Sequence, residues 1–209
     1  MPRPFKSAFV ITFCILYLSC QPKDSPPESK ASINTPVQPS KETPVNTVNL
    51  DKSPLDMSYY PVEYPKLKMT GTTREDLVAR VIYSRPKQEG RKIFGHVLKF
   101  GSIWRLGANE ATEIEFFKDV TIQKRLVRKN RYVVYCIPYE DRWTIILNND
   151  LFTWGLKIDS KKDVFKFDVP VVKTSYPLEY FTMSFEKADP GINLVMAWDS
   201  VRTMLRITY

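Results

Sequence analysis

In the segment WRLGANEAT, Trp104 to Thr112, an arginine, an asparagine and a glutamate crowd around a glycine, and Ser84, Arg85 and Arg91 add polar groups shortly upstream. Guanidinium groups present forked donors that match a carboxylate or phosphate two bonds at a time. Arg85, Arg91 and Arg105 beside Asn109 and Glu110 therefore have the chemistry to clamp an anionic ligand, with Trp104 or Trp154 as a flat face for a sugar ring. The same side chains have a second use. An Arg105–Glu110 pair bonded to loop backbone would satisfy polar groups at the end of a β-layer and fix the turn at Gly107, which makes a structural clasp. Both readings require these residues to converge.

Signatures of known catalytic machinery are missing. The chain has no Gly-x-Ser-x-Gly elbow, no phosphate-cradling glycine loop and no His-Glu-x-x-His, and His96 is its one histidine. A metal site would have to be assembled from His96, Cys136 and scattered carboxylates, a poor donor set, so neither metal nor cofactor is expected. A serine–histidine mechanism would need His96 beside Ser84 or Ser102, and nothing in the spacing recommends it. Paired-carboxylate hydrolysis stays open: Glu110 with Asp150, Glu113 or Glu140 could act as acid and base, given the right separation in space.

The amino terminus gives an address. Arg3 and Lys6 precede an apolar run from Ala8 to Leu18, the layout of a secretory signal peptide, and the run is too short to span a bilayer comfortably. Ser19 stands directly before Cys20, and YLSC looks like the lipobox of a bacterial lipoprotein, with Tyr17 where leucine is usual. The expectation is a signal peptide over 1–19 and acylation of Cys20. The protein would then be exported and lipid-anchored to the cell envelope, at the outer membrane. Cys14 would leave with the signal and Cys20 would be consumed by lipid, so Cys136 would have no disulfide partner; in the apolar run RYVVYCIP it reads as a buried thiol. Residues 20–60 are rich in proline, serine, threonine and lysine, lack glycine and have no aromatic residue before Tyr59. Such a segment buries too little apolar surface to offset its ordering entropy, and it reads as a disordered tether with a reach of about 35–120 Å.

Residues 61–209 must then supply the fold that positions the polar cluster. Apolar residues recur with period two in Leu77–Tyr83, Thr112–Phe116, Tyr132–Cys136, Trp143–Leu147, Phe165–Val169, Phe181–Phe185, Ile192–Trp198 and Val201–Ile207. Turn clusters such as SRPKQEG, NND, KADPG and WDS separate these runs. The pattern predicts an all-β domain, a single antiparallel sandwich or flattened barrel, with helices, if present, as single turns near Arg74–Asp76 and Asp150–Trp154.

YSRP (Tyr83–Pro86), GRKIFG (Gly90–Gly95), WRLGANEAT, YCIPYEDRWTIILN (Tyr135–Asn148) and a later Trp154-Gly155 together resemble the domain-of-unknown-function 2911 family, a bacterial envelope family. The resemblance covers about Leu77 to Tyr209 and implies the fold and the location; the family brings no established activity. Where its members have glycine before the strand ending in Ile-Pro, this chain has Asn130, a residue that tolerates left-handed backbone. The hairpin tip there would carry Lys124, Arg125, Arg128, Lys129 and Arg131.

The chain's formal charge is +8. For an exported protein, that charge points to acidic glycan or phosphorylated lipid rather than to nucleic acid. The reading that results is a membrane-anchored binding or scaffolding module for an anionic glycan, lipid head group or protein partner. Its alternative is an envelope polysaccharide hydrolase or lyase using Glu110 with the arginines. Replacing Cys20 by serine is expected to move the protein from the membrane pellet to the soluble fraction, scored by immunoblot after an alkaline wash; retention in the pellet would refute acylation at Cys20.

Overall fold

Pairing of alternating segments produces ten strands, and a computed structural model describes them within residues 51–209. The expected signal peptide, Cys20 and the tether up to residue 50 lie outside the described residues. The strands are β1 (Leu55–Tyr60), β2 (Ala79–Ser84), β3 (Glu113–Phe116), β4 (Val120–Ile122), β5 (Arg125–Val127), β6 (Asn130–Pro138), β7 (Arg142–Asn148), β8 (Asp163–Pro170), β9 (Val172–Lys187) and β10 (Ile192–Ile207). One sheet has the order β1-β2-β3-β6-β7-β8, antiparallel throughout. The facing layer is the β9–β10 pair together with the β4–β5 hairpin, joined where Thr121 and Thr208 exchange backbone hydrogen bonds of 2.7 and 2.9 Å. The sheets do not close into a barrel, so of the two expected forms the molecule is the sandwich.

The two inner faces meet in one core. Val81 and Tyr83 of β2, Ile114 and Phe116 of β3, Val134 and Cys136 of β6, and Trp143 and Ile145 of β7 are buried against Phe181, Met183, Leu194, Met196 and Leu205 of the second layer. Each such side chain contributes roughly 1.5–3 kcal/mol through removal from water. Burial pushes the Cys136 thiol well above its ordinary value, which leaves it protonated and unreactive as the sequence implied. The outer face of the large sheet is polar at its centre. There Arg80 pairs with Glu115, and Arg131 reaches both Glu113 (3.6 Å) and Glu115 (3.4 Å), a ladder across β2, β3 and β6.

Three expectations need correction. The disordered segment was expected to run to Tyr60, yet Leu55–Tyr60 forms β1, because Tyr59 and Tyr60 lie in a stretch that alternates once it is laid against Ser84–Ala79. Helical turns, if present, were expected near Arg74–Asp76 and Asp150–Trp154, and both stretches are irregular; in the second, Phe152 takes a left-handed φ of 60° that interrupts any helix. The helix that does form, α1 (Tyr64–Met69), has proline in its first turn, where the missing N–H costs nothing, and a 3-10 turn over Ser160–Lys162 is capped by Asp159. Finally, the left-handed residues of the basic hairpin are Gln123 and Lys124 (φ 47° and 66°), while Asn130 opens β6 opposite Phe116.

β10 turns back on itself at Asp199 (φ 53°), as the WDS cluster implied, so that Asn193 Nδ2 lies 4.0 Å from Met204 Sδ. This return brings Gly191 (φ 89°) against Ile207, where an added Cβ would lie 2.2 Å from the Ile207 carbonyl oxygen. Gly191→Ala combines that clash with a left-handed backbone and is expected to cost about 2–4 kcal/mol, read as a lowered urea midpoint with an unchanged slope.

Candidate functional site

WRLGANEAT is a clasp, built from backbone and buried groups. Trp104 exchanges backbone hydrogen bonds of 2.8 Å with Cys136 in both directions, which sews the segment to β6. Its indole is 6 % exposed and packs against Trp143 (5.5 Å), Phe181 (4.8 Å) and Trp198 (5.8 Å), while Nε1 donates to the Gly107 carbonyl at 3.1 Å. Trp104 is thus a core residue, and only its edge reaches any cleft. Leu106 and Asn109 adopt left-handed backbone (φ 53° and 57°), and the buried Thr112 hydroxyl donates to the Leu106 carbonyl. The segment also holds its neighbours: Ala111 N donates to Thr153 O (3.1 Å), and Asn109 Nδ2 donates to the Asp51 carboxylate and to Ser53 O (3.3 Å).

The expected Arg105–Glu110 pair does not form. Two left-handed reversals lie between the residues, and their side chains serve different surfaces. Arg105 Nη1 donates to the Trp154 carbonyl at 3.0 Å, whereas Glu110 is exposed and lines depressions shared with Trp154. Arg85 also leaves the group. It donates to Phe181 O (3.3 Å) and Thr182 Oγ1 (3.0 Å), pairs with Asp56 at 3.3 Å and stacks over Tyr180. Asp56 in turn accepts from Tyr83 at 3.1 Å, and burial pushes the Tyr83 phenol up to about 12. Ser84 is buried beside Asn109, Glu110 and Trp154. The single convergent cluster expected from sequence does not form: it divides into two adjoining surfaces, with Arg91 and Arg105 on one, Asn109 and Glu110 on the other and Arg85 on neither.

The first surface is a cleft of about 670 Å³, large enough for a small ligand. Lys52, Lys87, Arg91, Arg105 and Glu89 line it, over apolar walls from Val97, Leu98, Ile103, Leu156 and Ile158 and the edges of Trp104 and Trp198. Four cations thus face one carboxylate. Arg91 is oriented by the Lys87 and Gln88 carbonyls, the latter at 2.9 Å, and Arg105 by the Trp154 carbonyl. Among the described residues neither guanidinium has a carboxylate partner, and the nearest to Lys87 is Glu179 at 3.9 Å. Burial lowers the Arg105 pKa below its ordinary value, the mark of a cation drawn partly out of water without a counter-ion.

The basic hairpin behaves differently. Arg125 lies over Phe165 (4.8 Å), Arg128 pairs with Asp119 (2.7 Å) and Arg131 belongs to the ladder on the outer sheet, so most of that charge is spent internally. Asp119 is held below the usual carboxylate range by the Lys129 amide and the Arg128 guanidinium.

The second surface, about 460 Å³, lies between the outer face of the large sheet and the segment 152–154, and is lined by Leu55, Ile82, Glu110, Ala111, Glu113, Phe152, Thr153 and Trp154. Of the proposed carboxylate partners for Glu110, Glu113 alone shares this depression, and it is engaged by Arg131 and by Phe152 N (3.4 Å). Asp150 is bonded to Lys162 at 2.6 Å. His96 is exposed in the turn after Phe94, and no group of three or more His, Cys, Asp or Glu among the described residues is placed to hold a metal ion. Sequence reasoning missed Lys52, Lys87 and Phe152. Lys87 sits two residues after Arg85 in a recognised turn cluster and was within reach; Lys52 was assigned to the tether.

A family model described as "Protein of unknown function (DUF2911)" matches residues 65–207. The match covers more than half of the chain, which therefore belongs to that family, as the motifs suggested. Comparison with curated proteins and with solved structures finds no match. The clasp leads to a direct contrast. Thr112→Val leaves the Leu106 carbonyl buried without its donor and is expected to cost about 1–3 kcal/mol, while Glu110→Gln should change stability by less than about 0.5 kcal/mol, both measured by chemical denaturation.

Proposed function

We propose that this member of the DUF2911 family is a binding module, exported and held to the cell envelope through lipid on Cys20, whose basic cleft takes the anionic group of an acidic glycan. The observation that carries this reading is the pair Arg91 and Arg105: both are fixed by backbone carbonyls, both face one cleft, and neither has a carboxylate partner among the described residues. A guanidinium already oriented by backbone carbonyls loses little freedom on meeting an anion and gains a charge-assisted bond. The apolar walls of Val97, Ile103 and Leu156 suit the ring that carries such an acid group.

The location rests on the amino-terminal sequence, since no helix among the described residues is long and apolar enough to cross a membrane. Two or more acyl chains suffice for stable anchoring. The hydrolase or lyase alternative asks the arginines to face Glu110, and Glu110 lines the neighbouring depressions instead.

Titration calorimetry of the protein with a uronic-acid oligosaccharide tests the reading. Arg105→Gln is expected to weaken binding about 10–100-fold, equivalent to the 1.5–3 kcal/mol of a hydrogen bond to a charged group, and affinity should fall as salt is raised. Equal affinity in the variant, or equal affinity of the parent for a neutral oligosaccharide, would refute the reading. Stronger binding to anionic phospholipid vesicles than to the glycan at matched charge would reassign the ligand to lipid.

A further inference from the structure

We infer that the depression beside the basic cleft is a second sugar subsite, so that the ligand is an oligosaccharide in which an uncharged ring adjoins an acidic one. The inference rests on the anionic reading of the cleft and adds the chemistry of its neighbour.

The two surfaces share a wall one residue thick. The Trp154 carbonyl holds Arg105 on the cleft side, while the Trp154 side chain lines the depressions on the other. Gly155 behind it is packed so closely that a Cβ would lie 3.0 Å from Ala111 Cβ and 3.1 Å from Arg105 Cβ. A ligand group in the cleft and another against Trp154 are thus neighbours on the same molecule.

The depression has the parts that recognise a sugar ring. Trp154 is 53 % exposed although its backbone is held by Ala111 N on the Thr153 carbonyl and by Arg105 on its own carbonyl, and an exposed indole on a backbone held this way suits the C–H side of a pyranose. Phe152, 83 % exposed, is held at the lip with φ 60°, a backbone state rare for a bulky residue. The Glu110 carboxylate has no hydrogen-bond or ion-pair partner among the described residues, which leaves it free to accept from ring hydroxyls.

Charge separates the two subsites. Lys52, Lys87, Arg91 and Arg105 make the cleft positive; Glu110 and Asp51, neither of them paired to a cation among the described residues, make the depressions negative. A second acidic ring there would meet like charge, so a polymer of uronic acid alone fits worse than one in which acidic and uncharged sugars alternate.

The four tryptophans supply the readout. Trp104, Trp143 and Trp198 are buried, so acrylamide quenching of the folded protein reports mainly on Trp154. A tetrasaccharide of alternating glucuronate and N-acetylglucosamine is expected to shield Trp154 from quenching and to bind at least tenfold more tightly than a tetrasaccharide of uronate alone. Trp154→Ala should weaken the alternating tetrasaccharide tenfold or more and leave glucuronate itself, followed by NMR titration, within twofold. Trp154→Phe should restore most of the loss, which a merely structural role for the indole would not predict. If Trp154→Ala leaves the tetrasaccharide unaffected while Arg105→Gln weakens it, the second subsite is refuted and the anionic cleft stands. If Arg105→Gln has no effect on either ligand, or if the tetrasaccharide does not bind at all, both fall.

Discussion

Removal of the Trp104 indole from water is the constraint on which the cleft end of this molecule depends. The ring sits where β6, β7, β9 and β10 converge, among Trp143, Phe181 and Trp198, and it belongs to a long connection between β2 and β3 that would otherwise have few reasons to stay in one place. Once the ring is packed and its backbone is paired with Cys136, the following residues have a fixed origin. Leu106, Gly107 and Asn109 then reverse the chain in a short distance, and Arg105 and Glu110 emerge on opposite sides of the resulting knot. The polar groups are precise because an apolar one holds them.

That arrangement explains which parts of the molecule could be read in advance. The layered fold was legible because β-pairing imposes a period of two, and the WDS turn was legible because aspartate tolerates the left-handed backbone found at Asp199. β1 was hidden: LDMSYY is an edge strand whose half-exposed residues resemble the segment before it until Ser84–Ala79 lies alongside. The candidate site was half legible. Residue types marked Arg91, Arg105, Asn109 and Glu110, but their grouping depended on dihedral angles at Leu106 and Asn109, which no composition reveals. Trp104 and Trp154 were indistinguishable in sequence, yet one lies in the core and the other half in solvent.

Charge tells a similar story. Two places on the molecule are conspicuously basic, and they differ in what surrounds them. Along 124–131, arginines are matched by Asp119, Glu113, Glu115 and the Phe165 and Phe167 rings, so the run ties neighbouring strands together. Around the cleft, the lysines and arginines come from three separate parts of the chain and outnumber the one lining carboxylate, Glu89, four to one, with Arg91 and Arg105 paired to no acid among the described residues. A count of positive residues ranks the first stretch higher; the pairing pattern ranks the second higher.

The position of β1 has a mechanical consequence. Any pull on the chain upstream of Asp51 enters the domain at the outer strand of the six-stranded sheet, where Asp51 and Ser53 grip Asn109 and Lys52 borders the cleft. Load would therefore reach the Asn109 turn before it reached the core. Peeling back residues 51–53 would free the Asn109 side chain and remove part of one cleft wall while the sandwich behind it stayed intact.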